Sequence, residues 1–262
     1  MEKPTDTQPL DLHSAAWASL ADADGSAGNI PVLLQDLGQG DAGALDDLYG
    51  HICHQGSIYP ASVAAFPHLV GVAAGLASPD LCAGVLSLAG SIHESASLDE
   101  QLQSSPYATA FHAAVPAALA MALSGLERVD DRTSGIYLLK AAASFAGFAG
   151  VARVLNGFAD EEFCLACPGC GIDLYVWPVP AGLTVATDDP ISTPSATTLP
   201  VIAGPLDSSA QLAAHAWLTA RTGAVACLDD IALRLPFLFG SACCAECGQS
   251  FSLIDALVHD GA

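Results

Sequence analysis

Six of the nine cysteines in this 262-residue chain fall in two short stretches, FCLACPGCGIDLYV at 163–176 and SACCAECGQSF at 241–251. Within them Cys167-Pro-Gly-Cys170-Gly and Cys244-Ala-Glu-Cys247-Gly share one pattern: two thiols three positions apart, then a glycine. A tight bend presents both sulfurs from one side, and the glycine can take the left-handed backbone that ends the bend. Two such pairs make a tetrahedral four-thiolate set. That set suits Zn²⁺, which has no redox chemistry, accepts four sulfurs at about 2.3 Å and deprotonates the thiols it binds. With four protein ligands the site is closed, so the expected role of Cys167, Cys170, Cys244 and Cys247 is structural.

Seventy-three residues lie between Cys170 and Cys244, against roughly 15 to 20 in an ordinary ribbon, so the fold itself must bring the pairs together. The pattern resembles a zinc ribbon with helices inserted between its halves, a resemblance confined to the two turns and their flanking strands. Cys164, Cys167 and Cys170 also match the first three ligands of a bacterial ferredoxin run, but the fourth Cys followed by Pro is missing. An iron–sulfur cluster, or a single iron ion in the four-thiolate site, is the minor alternative. Cys164 and Cys243 lack the Cys-x-x-Cys-Gly context and read as spectators, unless Cys164 replaces Cys167 in a turn that starts one step earlier. Cys53, Cys82 and Cys227 sit in apolar segments, where Cys acts as a small hydrophobe.

A second set of candidates is His51, His54, Gln55 and Tyr59. Histidines three apart on a helix share a face and can grip a second metal or serve as acid and base, with Gln55, Tyr59 and His93-Glu94 completing a polar pocket. The competing expectation is that a Gln-Gly turn ends a helix while His54 and Gln55 bond its exposed backbone groups. No Walker loop, dinucleotide fingerprint, His-Glu-x-x-His or Gly-x-Ser-x-Gly sequence accompanies them. An enzyme built on these four residues is therefore the alternative reading, behind a protein without catalysis.

The elements that position these residues fall into two regions. Over residues 10–158, Ala-rich apolar segments alternate with turn signals such as ADADGSAGN, LGQGD, ASPD and ERVDDRTSG, as paired helices do. Pro67 and Pro116 lie 49 positions apart in similar Ala-rich contexts, and GVLSLAG and GIYLLKA recur at an offset of 51. A repeat near that length is what a helical solenoid produces. Each proline either bends a helix from within or opens one at its first turn. Residues 159–262 hold a short strand at LYVWPVP, an exposed loop at 182–209 with room for one strand, further helices and the split cysteine element. The fold class expected is all-α, an α-solenoid of paired helices with a small β-containing zinc-ribbon-like insertion.

The run LDDLYGHICHQGSIYPASVAAFPHLVGVA resembles a HEAT-like helical-repeat family of actinobacterial type through His54, Gln55, Gly56, Tyr59, Ala61, Pro67 and Leu69. The resemblance extends loosely over residues 12–150. It implies a helical solenoid, sometimes found in suspected toxin-immunity proteins, and it supplies no catalytic residues.

Composition sets the remaining limits. Hydrophobic residues make up 52% and charged ones 13%, which is a folded chain, and seven Lys and Arg against 28 Asp and Glu give a formal charge of −21. Such a charge repels nucleic acid and anionic membranes, keeps an apolar chain soluble, and attracts a protein partner with a basic surface. MEKPTDTQPLDLHS lacks a secretory signal's pattern, and Pro or His interrupts the apolar stretches, so a cytoplasmic location without a membrane span is expected. The function expected is a zinc-stabilised binder of another protein, immunity- or antitoxin-like, with aromatic anchors such as Trp17 or Tyr59.

Overall fold

Capping chemistry fixes where several helices begin. Asp41 accepts the Gly43 N–H at 2.9 Å, Ser78 accepts that of Leu81 at 3.3 Å, and Pro60 and Pro79 occupy first-turn positions where a missing N–H costs nothing. The computed structural model describes residues 8–189, 192–193, 196–204, 206 and 208–260. They divide into two compact units. One is Met1–Arg128 with Lys140–Ala149, and the other is Val129–Leu139 with Gly150–Ala262. Both are mostly helical or mixed with small antiparallel sheets.

The first unit holds α1 (Ile30–Gly38), α2 (Ala42–Ile52), α3 (Pro60–Gly75), α4 (Pro79–Glu94), α5 (Leu98–Ser104), α6 (Ala108–Leu126) and the second half of α7 (Arg132–Phe145). Helix α3 is apolar on nearly every side and is buried accordingly, through Ala61, Val63, Phe66, Leu69 and Val70 among others. It meets α1, α4 and α6. Pro67 and Pro116 lie inside α3 and α6, so neither opens a helix. A missing internal N–H and ring clash cost about 3 kcal/mol in an isolated helix; here packing against neighbouring helices holds the turns in place. Helix α6 consequently runs unbroken for 19 residues through the stretch expected to be interrupted, and by length and composition it is the one described helix that can cross a membrane. It buries Ala110, Phe111, Ala118, Ala122 and Leu126 and packs on α3 and α4, while most of its apolar window is not buried.

Small residues bring α4 and α7 close together. A Cβ at Gly90 would stand 2.7 Å from both Cα and Cβ of Ala141. Beside that contact Lys140 Nζ meets Glu94 Oε1 at 2.8 Å, both groups nearly buried. His93 Nδ1 lies 2.8 Å from Ser144 Oγ, with the rings of Phe66, Phe111 and Phe145 around the imidazole. His93-Glu94 thus belongs to this interior, where burial, and then the charge on His112, hold the His93 pKa down at about 4.

The second unit takes the first half of α7, then α8 (Ala149–Val154), α9 (Asn156–Asp160), β1 (Phe163–Ala166), β2 (Asp173–Val179), β3 (Gly182–Ala186), β4 (Thr198–Pro200), α10 (Ser209–Thr222), α11 (Asp229–Leu238), β5 (Ser241–Cys243), β6 (Ser250–Ser252) and α12 (Leu253–Asp260). Strands β1 to β4 form an antiparallel sheet in chain order, and β5 pairs with β6. Helix α11 packs on β3 and α12 on β1. Arg132 and Arg234 both grip Asp230, and Arg132 also donates to the Phe158 carbonyl.

The stretch 182–209, expected as an exposed loop with room for one strand, holds two: it begins with β3, all five of whose residues are buried, and also contains β4. Burial on both faces removes the alternation that marks a strand in sequence, and Thr184 is accommodated by donating to the Leu199 carbonyl at 2.9 Å. Positions 190, 191, 194, 195, 205 and 207 of that stretch lie outside the described residues.

Two predictions follow from the first unit's packing. Gly90→Val should lower unfolding free energy by about 2 to 4 kcal/mol, because backbone must move. Gly71→Ala, in α3 with open space beside it, should gain about 0.5 to 1 kcal/mol; denaturant titration compares both. His93 titrates near 6.5 when unfolded and about 4 when folded, so its stabilising contribution is complete above pH 6.5 and lost as pH falls toward 4. Stability curves of the protein and of His93→Gln should therefore converge by about 3 kcal/mol over that window.

Candidate metal centre

Each cysteine pair occupies the turn of a hairpin. β1 leads into Cys167–Cys170 and β2 leaves it; β5 leads into Cys244–Cys247 and β6 leaves it. The two turns are closed by the same bonds. Cys167 N–H donates to Ile172 O at 2.8 Å and Gly171 N–H to Cys167 O at 2.9 Å; Cys244 N–H donates to Gln249 O at 3.0 Å and Gly248 N–H to Cys244 O at 2.9 Å. Gly171 and Gly248 have φ of +74° and +72°, the left-handed conformation that a side chain would strain. Gly169 lies so close to the Gln249 side chain that a Cβ there would overlap it. One turn therefore seats directly on the other.

The four sulfurs all lie within 4.8 Å of one another, and among the described residues they form the one group of three or more His, Cys, Asp or Glu ligand atoms gathered so tightly. Cys167 Sγ is 3.8 Å from Cys247 Sγ, and Cys170 Sγ is 3.9 Å from Cys244 Sγ. A tetrahedron with metal–sulfur bonds of about 2.3 Å has edges of about 3.8 Å, whereas a disulfide would need about 2.05 Å. The donor set thus fits a metal ion. Cys167 and Cys244 are buried while Cys170 and Cys247 reach solvent.

Backbone amides prepare these sulfurs for negative charge. Burial pushes the Cys167 thiol up, but the N–H groups of Cys170 and Gly169, the latter 3.4 Å from Sγ, outweigh it and hold the thiol at about 7. At Cys170 the Ile172 N–H lowers the pKa, yet desolvation and the thiols of Cys247, Cys167 and Cys244 raise it to about 12. Cys247 is also raised, with the Gln249 N–H working against burial and the neighbouring thiols. One thiolate forms readily and makes the next harder to form, a repulsion that a bound cation cancels.

The spectators fall outside this cluster. Cys164 sits on β1 opposite Tyr175 with its sulfur 3.7 Å from Glu162 Oε1, and it does not replace Cys167. The Cys243 sulfur lies 3.6 Å from the Gly248 carbonyl. Cys53 is buried, Cys82 lies against the Ala73 carbonyl, and Cys227 against those of Val129 and Asp131.

His51 stands in the last turn of α2 with Nδ1 3.1 Å from Asp22 Oδ2 and 3.5 Å from Asp24 Oδ2, and Nε2 3.1 Å from Asn29 Nδ2. Helix α2 ends at Ile52, so His54 lies beyond it, exposed, in a bridge with Ser57; the helical spacing that would align the two histidines does not extend that far. Gln55 follows at φ +49° and Gly56 at +80°. Tyr59 caps α3 through its backbone: its N–H donates to Ser62 Oγ and its carbonyl accepts the Ser62 N–H. Among the described residues no hydrogen bond joins any two of the His51, His54, Gln55 and Tyr59 side chains. Asp22, Asp24 and Asn29 went unread in the sequence, where only the DADG turn signalled them.

Substituting Ser for Cys170 or Cys247, both solvent-facing, should weaken zinc or cobalt binding at least about tenfold while leaving a folded protein, read by competition with a chromogenic chelator. Gly171→Ala and Gly248→Ala should each cost about 1 to 2 kcal/mol through left-handed strain alone. Comparisons of the chain with models of protein families, with curated proteins and with solved structures find no match.

Proposed function

We propose that this chain is a zinc-clasped helical-repeat protein that works by binding another protein with a basic surface, as an immunity- or antitoxin-like protein would. The observation that carries the metal part is the sulfur arrangement: four thiols from two turns of equal geometry, with edges of 3.8 and 3.9 Å. Cys167, Cys170, Cys244 and Cys247 would hold the ion. Zinc supplies a fixed cross-link of four thiolates and no redox chemistry, with no position left open for a substrate. Nine unpaired cysteines suit the reducing cytoplasm.

The repeat reading is supported by pairing within the first unit. Helix α1 meets α2 and α3 meets α4, while α1, α3 and α6 touch in succession and α2 touches α4. Gly90 against Ala141 and His93 against Ser144 are both separated by 51 positions, the offset between Gly84 and Gly135. Equivalent residues of successive repeats meet in this way when helices stack in register.

The basic partner is argued from charge. Of the seven Lys and Arg, Arg132 and Arg234 are engaged by Asp230 and Lys140 by Glu94. Acidic side chains such as Asp36, Asp46, Asp47, Asp80 and Asp99 stand exposed. A surface of one sign speeds encounter with the opposite sign and rejects phosphate backbones.

Elemental analysis of the purified protein should find one zinc per chain, and strong chelation should lower its melting temperature; a metal-free protein melting unchanged would sink the clasp. A cognate partner should associate about tenfold or more slowly as salt rises from roughly 0.05 to 0.5 M. An association rate indifferent to salt would remove the charge argument.

A further inference from the structure

Three glycines of α1 and α3 stand where neither backbone nor packing asks for glycine. Gly38, Gly71 and Gly75 line an open cleft of about 450 Å³, whose lining also includes Pro9 and Leu12 of the segment that precedes the helices. All three lie within their helices, and none has a left-handed φ. A Cβ at Gly71 or Gly75 would meet nothing within 4 Å, and one at Gly38 would touch Val72 at 3.8 Å, an ordinary contact. Glycine is the poorest helix former after proline, so its presence inside α3 at Gly71 costs stability and leaves one thing in return, the space beside it. The segment that completes the walls is pinned. His68 Nε2–H donates to Leu10 O at 2.8 Å, Trp17 Nε1–H donates to Asp11 O at 3.0 Å, and the rings of Trp17 and His68 lie beside each other. A cleft of this volume with apolar, positioned walls has the size that takes a small organic molecule.

The side chains and the helix end that line the cleft offer acceptors and no free donor. Among the lining side chains only His68 is polar. A carbonyl cannot donate, so the proton of the neutral ring sits on Nε2 beside Leu10 O, and Nδ1 keeps its lone pair. Burial holds the His68 pKa below its ordinary value, against the opposing pull of the Leu10 carbonyl and Asp11, so the ring is neutral near pH 7. The other acceptors are backbone groups. Helix α3 ends at Gly75 with Leu76 extended, and among the described residues no backbone N–H returns to its last carbonyls, of which those of Val72 and Gly75 belong to lining residues. A helix C-terminus carries partial negative charge, no cationic side chain lines the cleft, and the whole chain stands at −21. From His68 to Gly75 the helix rises about 10 Å, which separates the two acceptor positions by the length of a small ligand. We infer that this cleft binds a small amine with an apolar body: the ammonium at the end of α3, the body over Gly71, and a hydroxyl or N–H group at His68 Nδ1. The site lies wholly in the first unit and needs no metal.

The test titrates the full-length protein with tyramine and follows its backbone NMR signals. Saturable shifts at Gly38, Gly71 and Gly75 are expected, with a dissociation constant on the order of 1 mM or tighter for so small a ligand. The compound 3-(4-hydroxyphenyl)propionate, with a carboxylate in place of the amine, should bind at least about tenfold more weakly, and phenethylamine, without the hydroxyl, about threefold more weakly. Gly71→Leu should abolish binding by filling the cleft while leaving the melting temperature at or above that of the parent, because leucine is the better helix former. Gly50→Leu, at an open glycine of α2 outside the cleft, should leave binding unchanged. Absence of saturable shifts, equal affinity for the carboxylate, or binding that survives Gly71→Leu overturns the site, and equal affinity for phenethylamine overturns the His68 contact. Shifts at Gly71 that follow protein concentration rather than tyramine would give the cleft to a second copy of the chain and overturn the amine.

Discussion

Four sulfurs meeting within 4.8 Å is the constraint on which the second unit depends. As thiolates they repel one another, in a chain that already carries a formal charge of −21, and only a cation converts that repulsion into attraction. The chain must meanwhile return over the 73 residues between Cys170 and Cys244 to close the cluster. Closing a loop of that length removes on the order of 4 kcal/mol of entropy from the unfolded chain, so a metal clip there stabilises more than one in a short ribbon. The intervening residues are not slack. Strands β3 and β4 extend the sheet begun by the first hairpin, and the Ile202–Ser241 bridge carries the chain directly into β5. Gly240 permits that join, because a Cβ there would overlap the Ile202 carbonyl.

The first unit is held differently. Its interior rests on alanine and glycine at helix contacts, which let backbones approach, with aromatic mass concentrated in the Phe66–Phe111 stack at 4.0 Å and in Phe145 beside it. Two polar pairs, His93–Ser144 and Lys140–Glu94, are sealed within the same region. Interior polar pairs of this kind add little net stability but penalise any other register, since sliding α4 along α7 would leave each group without its partner. The Gly90–Ala141 contact acts in the same sense, as only that alignment presents a glycine to the neighbouring backbone.

What could be read from the sequence was whatever is encoded locally. Cys-x-x-Cys-Gly specifies its own turn, so the four cysteines that cluster were legible although their meeting was not a local property. Helices followed from apolar spacing and from caps such as Asp41 and Ser78. Pro116 misled in α6, where a missing bond inside the helix is tolerated once neighbouring helices pack around it. The burial of β3 was hidden because both of its faces are covered, which removes the alternation that marks a strand. The surroundings of His51 were illegible for a related reason: helical spacing suggested His54 as its companion, but α2 stops at Ile52 and the carboxylates arrive from a turn some thirty residues earlier.

An excess of carboxylates marks the chemistry of both units. Around the cysteine turns, Glu162, Asp173 and Asp189 push the Cys164 thiol up after burial has done so, which marks a negative local potential. A field that favours protons on thiols also raises the local concentration of divalent cations, and with two charges per ion the cation gains more from it than the proton does. The same excess of carboxylates supplies Asp22 and Asp24 beside His51. Acidity in this chain therefore does more than maintain solubility. It also biases the cysteine cluster toward holding a metal ion rather than protons.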